Sequence, residues 1–287
     1  MAESSVKRLR VGLLGGSGLV GRDLVEAAAS FGVDVVVFSR TGCLAGPVRS
    51  YQSLPQASDL DVLVNLIGGH KDENFISTID LQLEIDSAAS EWSARHERHY
   101  VFMSSGAIFD SPGRPVNNAT SRLTGHEVSP YVSLKIHIED LHARQRALGI
   151  MVTDFRLFSF AGKNFIAGGD YFLSKLHAAG KAGSVFQVKG ADFIRDYVGP
   201  PEIWAAVVEL VKGSSAGAFN LFSQAPATRQ EVFEIFTSAF TELRLMPEER
   251  PDLPRVFYCA NADQKLPGYC PQTSANAIRR SLETLES

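Results

Sequence analysis

Leu9-Arg10-Val11-Gly12-Leu13-Leu14-Gly15-Gly16-Ser17-Gly18-Leu19-Val20-Gly21-Arg22 begins as a short aliphatic strand, breaks on a cluster of glycines and restarts with helical character. Gly15, Gly18 and Gly21 stand three residues apart, between a strand over Leu9–Leu14 and a helix over Leu19–Phe31. Glycine permits the tight turn and lets backbone approach an anion closely, and the helix N-terminus offers that anion unpaired amides. The pattern points to a dinucleotide diphosphate held by Gly15, Ser17, Gly18, Leu19 and Gly21.

Outward from this turn, aliphatic runs alternate with helical-period segments. Strands are expected at Asp34–Ser39, Asp61–Ile67, His99–Ser104 and Met151–Phe158, with helices at Ile76–Arg95 and at Tyr131–Leu148, the latter ended by Gly149. Such alternation predicts an α/β fold, a Rossmann doubly wound parallel sheet whose ligands bind at the carboxyl ends of the strands. Residues 1–157 form the expected dinucleotide-binding domain. Residues 158–287 form a smaller, mainly substrate-binding portion, rich at first in glycine (Gly162, Gly168, Gly169, Gly180, Gly183). A helix at Trp204–Val211 and a strand at Ala218–Phe222 would bring about 200–222 back to the sheet, before a last helix at Thr228–Phe240. The tail Pro247–Pro271 reads as ordered loop around the substrate.

The second strand ends Phe38-Ser39-Arg40, with no carboxylate to bond adenosine ribose hydroxyls; Asp34 sits at the strand's far end. This favours NADP over NAD, with Ser39 and Arg40 as contacts of the 2′-phosphate. Tyr131-Val132-Ser133-Leu134-Lys135, opened by Pro130, places Tyr131 and Lys135 one turn apart on one helix face. An ammonium beside a phenol favours the phenolate and suits it to proton transfer. The preceding strand delivers Ser104 and Ser105 to the same sheet edge, whereas His137, His142 and Asp140 read as exposed positions of the helix.

The 287 residues are 45% hydrophobic, enough for a sizeable core. With 28 basic against 32 acidic residues, the net charge of −4 gives no reason to expect nucleic acid or an anionic membrane as partner. Cys43, Cys259 and Cys270 are too few and too scattered for a disulfide framework or a zinc site, so no metal is expected. No signal peptide or membrane-spanning run is read, and a reducing, cytoplasmic setting fits.

Several landmarks in order resemble the extended short-chain dehydrogenase/reductase family, the NAD-dependent epimerase/dehydratase group acting on nucleotide sugars. They are the glycine turn, Asp61-Val-Leu-Val-Asn-Leu-Ile-Gly68, Met103-Ser-Ser-Gly-Ala-Ile-Phe109, Ser129-Pro-Tyr-Val-Ser-Leu-Lys135, Phe155-Arg-Leu-Phe158, Arg195-Asp-Tyr-Val198 and Gly217-Ala-Phe-Asn220. The resemblance implies that Tyr131 is the acid/base, that Lys135 bonds the nicotinamide ribose and biases Tyr131, and that Ser105, rather than Ser104, bonds the reacting oxygen. It further implies cofactor contacts from Leu66, Ile67 and Gly68, and substrate contacts from Ser159 and Arg195 with Tyr197 nearby; for Arg195, a structural pair with Asp196 stays equally open. Ser159 stands where relatives carry asparagine, Asn117 near a position often acidic, and Gly199-Pro200-Pro201 replaces acidic residues. The expected activity is NADP-dependent reduction of a nucleoside-diphosphate-linked keto sugar by a homodimer; an epimerase retaining its cofactor and a non-catalytic NADP sensor are the alternatives.

Overall fold

The structure, a computed structural model, describes residues 8–39, 48–68, 76–110, 113–125, 128–213, 216–247, 255–261, 266 and 268–286. The first part of the chain alternates β1 (Leu9–Leu14), α1 (Leu19–Ala27), β2 (Val33–Phe38), β3 (Val48–Arg49), β4 (Val62–Asn65), α2 (Ile79–His96), β5 (His99–Ser105), α3 (Pro130–Ala147) and β6 (Val152–Leu157). Then come β7 (Ser159–Phe160), α4 (Lys163–Gly168), α5 (Phe172–Lys181), β8 (Val185–Val188), β9 (Phe193–Arg195), β10 (Tyr197–Val198), α6 (Pro200–Val211) and β11 (Ala218–Leu221). The chain closes with β12 (Ala227–Thr228), α7 (Arg229–Ala239), β13 (Arg244–Pro247), β14 (Val256–Tyr258) and α8 (Ser274–Glu286).

The aliphatic strands assemble into a seven-stranded sheet in the order β11-β6-β5-β4-β1-β2-β3, parallel throughout. Strands covered on both faces should be apolar on both, and β4 is buried at all four positions. Leu24 of α1 and Trp204 and Val207 of α6 cover one face; Ala89 and Trp92 of α2 and Leu134 and Ile138 of α3 cover the other. This is the doubly wound arrangement expected from the alternation. The strand order reverses between β1 and β4, which opens a crevice at their carboxyl ends.

The first helix ends sooner than its periodicity implies. The α-helix stops at Ala27, and Ala28–Phe31 form a tighter 3₁₀ turn closed by Gly32 at φ +66°. A left-handed glycine ends the helix here, and its carbonyl accepts from Leu9 N (3.0 Å), which brings the chain back beside β1. Thr228 caps α7 in a capping box with Glu231. The tail after Pro247 is not loop alone: β14 pairs with β9, and Leu266 and Tyr269 enter the core. Helix α8, absent from the sequence reading, buries Ala277, Ile278 and Leu282 against Leu173, Leu176, Val232 and Phe236 of the smaller lobe. No helix among the described residues is long and apolar enough to cross a membrane.

His142, expected to be exposed, has no solvent exposure. Its ring lies between the carboxylates of Asp154 on β6 and Asp86 on α2, and Arg146 reaches the other oxygen of Asp154 at 2.7 Å. Periodicity misplaced it because this face of α3 is buried through polar groups, which apolar patterning does not register. Burial disfavours the imidazolium, but the hydrogen bonds and charges of Asp154 and Asp86 overcome this and raise His142 to about 9 from 6.5. A group bound more tightly to its proton when folded stabilises fully below its unfolded value and loses that contribution as pH rises through the folded value. Denaturant titrations at pH 6.5 and 8 should therefore show stability falling by about 1–2 kcal/mol, with most of that slope lost in His142→Gln.

Candidate active site

The glycine turn closes on itself at the mouth of the crevice. Gly15 has φ +80°, and its carbonyl accepts from Gly18 N at 3.0 Å. A Cβ on Gly21 would strike Gly15 O and meet Gly16 Cα at 2.6 Å, and one on Gly16 would meet Val37 Cγ1 at 2.8 Å. These contacts demand glycine, and they hold the turn tight against α1. Gly18 is the N-cap of α1 with no side-chain bond to the helix amides, and the first turn carries no acid. Ser17 and Gly18 are exposed, with Leu19 half-buried. A turn so built fits a dinucleotide diphosphate, which would bond those amides.

Leu66, Ile67 and Gly68 follow β4 on the opposite lip. Leu66 N donates to Leu14 O at 3.0 Å, and Ile67 N donates to Asn65 Oδ1 at 2.9 Å. Asn65 in turn donates to the Tyr100 hydroxyl, which donates to Asp86. The loop is thus tied to the buried ionic cluster around His142. At the end of β2, Ser39 is buried, with its amide on Arg49 O at 3.0 Å. Arg40 lies outside the described residues. Asp34, at the far end of β2, faces Arg8 at 3.2 Å.

Ser105, Tyr131 and Lys135 line one cavity of about 960 Å³ together with Leu66, Gly68, Ser159, Arg195 and Tyr197. Its wall is strongly aromatic, with Phe158, Phe160, Phe165, Tyr171, Phe172 and Tyr258. Ser129 caps α3 and Pro130 opens it, which sets Tyr131 at the helix start. Lys135 is buried, its Nζ 2.8 Å from Met103 O, 4.1 Å from the Phe102 ring centre and 5.8 Å from that of Tyr131. Burial pulls Lys135 down to about 8, against the opposing charges of Asp86, Glu139 and Asp154. The Tyr131 phenol is raised rather than lowered, because burial outweighs the hydrogen bond from Ser105 that favours its phenolate.

The two serines divide. Ser104 donates to the buried Glu139 at 2.6 Å, while Ser105 Oγ accepts from Ala107 N at 3.2 Å and lies 3.4 Å from the Tyr258 hydroxyl. Arg195 and Asp196 do not form the simple pair weighed above. Asp196 accepts from Ser223 N at 2.9 Å and Ala260 N at 2.8 Å, whereas Arg195 lies 4.5 Å from the Phe193 ring and its Nε is buried without a partner. Tyr197 is buried beside it, its phenol pushed up to about 12 by burial despite the arginine. Tyr258 and Tyr171 escaped the sequence reading. The β-branched and aromatic run Val256-Phe257-Tyr258 marks a strand, but no spacing links it to a serine 153 residues away.

Fold, glycine turn and serine–tyrosine–lysine set together define a dinucleotide-binding protein of the extended short-chain dehydrogenase/reductase type. The sequence matches the NAD dependent epimerase/dehydratase family over residues 11–220, and the chain belongs to that family. Solved structures repeat the architecture at low identity. UDP-N-acetylglucosamine 4-epimerase from Bacillus cereus is 16% identical, with TM-score 0.76 over 97% of this chain and 100% of that one. UDP-glucose 4-epimerase from Thermus thermophilus, complexed with NAD, is 17% identical, with TM-score 0.73 over 97% and 99%. RMD from Pseudomonas aeruginosa, complexed with NADPH, is 21% identical, with TM-score 0.73 over 97% and 98%. No curated protein matches the chain.

Gly21→Ala tests the turn. The added methyl must displace backbone, so a stability loss of ~1–3 kcal/mol is expected together with loss of nicotinamide dinucleotide binding, read by fluorescence titration. Unchanged affinity would place the diphosphate elsewhere.

Proposed function

We propose that the protein is an NADP-dependent reductase of a keto sugar linked to a nucleoside diphosphate. The observation that carries this is the meeting of Ser105, Tyr131 and Lys135 in one cavity that runs from the switch point of the sheet to Arg195. The cofactor, when bound, supplies a hydride. Gly15, Ser17, Gly18, Leu19 and Gly21 would hold its diphosphate, Leu66, Ile67 and Gly68 would line it, and Lys135 would hold its ribose. Tyr131 donates a proton to the oxygen of the sugar carbonyl as negative charge develops there, and Ser105 donates a hydrogen bond to the same oxygen. Lys135 lowers the cost of the phenolate left behind, which then takes its proton back from solvent. Arg195, with Tyr197 and Ser159 beside it, meets the diphosphate of the substrate.

The preference for NADP rests on Ser39-Arg40, where an acid would be needed to select NAD. It favours net reduction, because an epimerase regenerates its cofactor in every cycle and gains nothing from the reduced NADP pool. A cytoplasmic homodimer assembled through α2 and α3 accompanies this reading.

Purified protein mixed with NADPH and a panel of nucleoside-diphosphate keto sugars should oxidise one NADPH for each sugar reduced. Interconversion of two nucleotide sugars without net change in NADPH absorbance would replace the reductase by an epimerase. Tyr131→Phe should lower turnover ~10²-fold or more while NADPH still binds. Arg40→Ala should weaken NADPH roughly tenfold to a hundredfold and leave NADH nearly unchanged; equal weakening of both would remove Arg40 from phosphate recognition.

A further inference from the structure

Tyr258 enters the cavity from β14, far in sequence from the other site residues, and strand pairing sets its place. Its strand is paired with β9 in the register Tyr258↔Arg195, and its carbonyl accepts from Asp196 N at 3.1 Å. The ring stands edge-on to Phe158 at 5.5 Å, with the Arg195 guanidinium 6.0 Å from its centre. The hydroxyl lies 3.4 Å from Ser105 Oγ, on a serine that also bonds Tyr131. Two phenols therefore share one serine.

A serine hydroxyl has a single proton and two lone pairs. One lone pair of Ser105 takes the Ala107 amide at 3.2 Å, and the same amide also reaches the Tyr258 oxygen. Either hydroxyl can donate across this 3.4 Å contact, and with its oxygen facing an N–H, Tyr258 can turn its own proton towards Ser105. That occupies the second lone pair of Ser105, which then cannot accept from Tyr131 or from a substrate hydroxyl. Its proton is left for whichever oxygen lies on the Tyr131 side. Burial pushes the Tyr258 phenol up to about 12, so it keeps the proton this arrangement needs.

We propose that Tyr258 is a positioning residue: by donating to Ser105 it makes Ser105 an obligatory donor, aimed at the Tyr131 oxygen in the resting site and at the reacting carbonyl oxygen when substrate is present. This rests on the reading of Ser105 and Tyr131 as the reacting pair. The groups that face Tyr131 are Ser105, Tyr258, Tyr171 and Lys135, and of these Ser105 bears directly on its ionisation.

Tyr258→Phe keeps the ring against Phe158 and removes only the hydroxyl. In substrate-free protein, titration of Tyr131 by nuclear magnetic resonance of isotopically labelled tyrosine should show its ionisation raised by roughly 0.5–1 pH unit, because Ser105 is no longer held as a donor. This readout needs no substrate, so it decides the role of Tyr258 even if no keto sugar is reduced. Where turnover is measured, kcat should fall about tenfold with KM for NADPH unchanged. In a Ser105→Ala background, Tyr258→Phe should change neither the Tyr131 titration nor kcat further, since its route of action is gone. An unchanged or lowered Tyr131 titration in Tyr258→Phe, or a full additional loss in the Ser105→Ala background, would overturn the proposal.

Discussion

Glu139, a carboxylate with no solvent exposure, fixes where α3 lies on the sheet. Arg156 of β6 grips both its oxygens, closest at 2.6 Å, Arg122 reaches it at 2.7 Å and Ser104 of β5 at 2.6 Å. A buried charge that loses its partners costs several kcal/mol, so α3 cannot slide or rotate without a large penalty. Tyr131 and Lys135 lie two turns and one turn earlier on the same face. The ionic anchor thus sets the phenol and the ammonium at the sheet edge. Near the other end of α3, His142 repeats the device by joining α2 and β6 through Asp86 and Asp154. An apolar face would pack as well, but it would specify the register less sharply.

A second link ties the phosphate turn to the substrate side. Asp23, buried in the second turn of α1, accepts from Asn164 N at 2.8 Å and Phe165 N at 3.1 Å, and so caps α4 from another helix. Burial raises the Asp23 carboxyl, and the hydrogen bonds from Asn164 and Phe165 offset this. A Cβ on Gly162 would strike Asp23 Oδ2, so the approach requires glycine. Phe165 then stacks on Tyr171 at 4.4 Å, and both line the cavity. The helix that opens at the glycine turn therefore also supports the opposite wall of the cavity.

What was legible in the sequence is what depends on local pattern. The glycine turn, the parallel strands and the one-turn spacing of Tyr131 and Lys135 follow from short-range periodicity and sterics, and the structure builds all three. The reading weakened where function is served by distant partners. His142 looked exposed because its partners, Asp86 and Asp154, come from another helix and a strand. Tyr258 looked like part of a proline-rich loop because its strand exists only by pairing with β9. Helix α8 begins at Ser274, whose hydroxyl accepts from Tyr197 N at 2.7 Å. That bond is tertiary, while the cap of the helix is local: the Thr273 hydroxyl accepts from Asn276 N at 3.2 Å. Propensity and period report what a segment prefers, and they are silent about groups whose environment is assembled from elsewhere.

Adjacent residues with opposite duties recur at the site, and strand geometry explains why. Successive side chains in a strand point to opposite faces. On β5, Ser104 turns to Glu139 and secures α3, while Ser105 meets Ala107 N and the Tyr258 hydroxyl; both serines border the cavity. At the end of β9, Asp196 turns inward to the Ser223 and Ala260 amides, where burial holds its carboxyl up at about 6 and those hydrogen bonds draw it down. Its neighbour Arg195 lines the cavity with Nε unpartnered. Had Asp196 paired with Arg195, the cation at the cavity wall would have been neutralised. By committing the acid to the backbone of two other segments, the fold secures the chain just after β14, which carries Tyr258, and leaves the arginine's charge at the cavity wall. One strand end thus places both the cation and the second tyrosine.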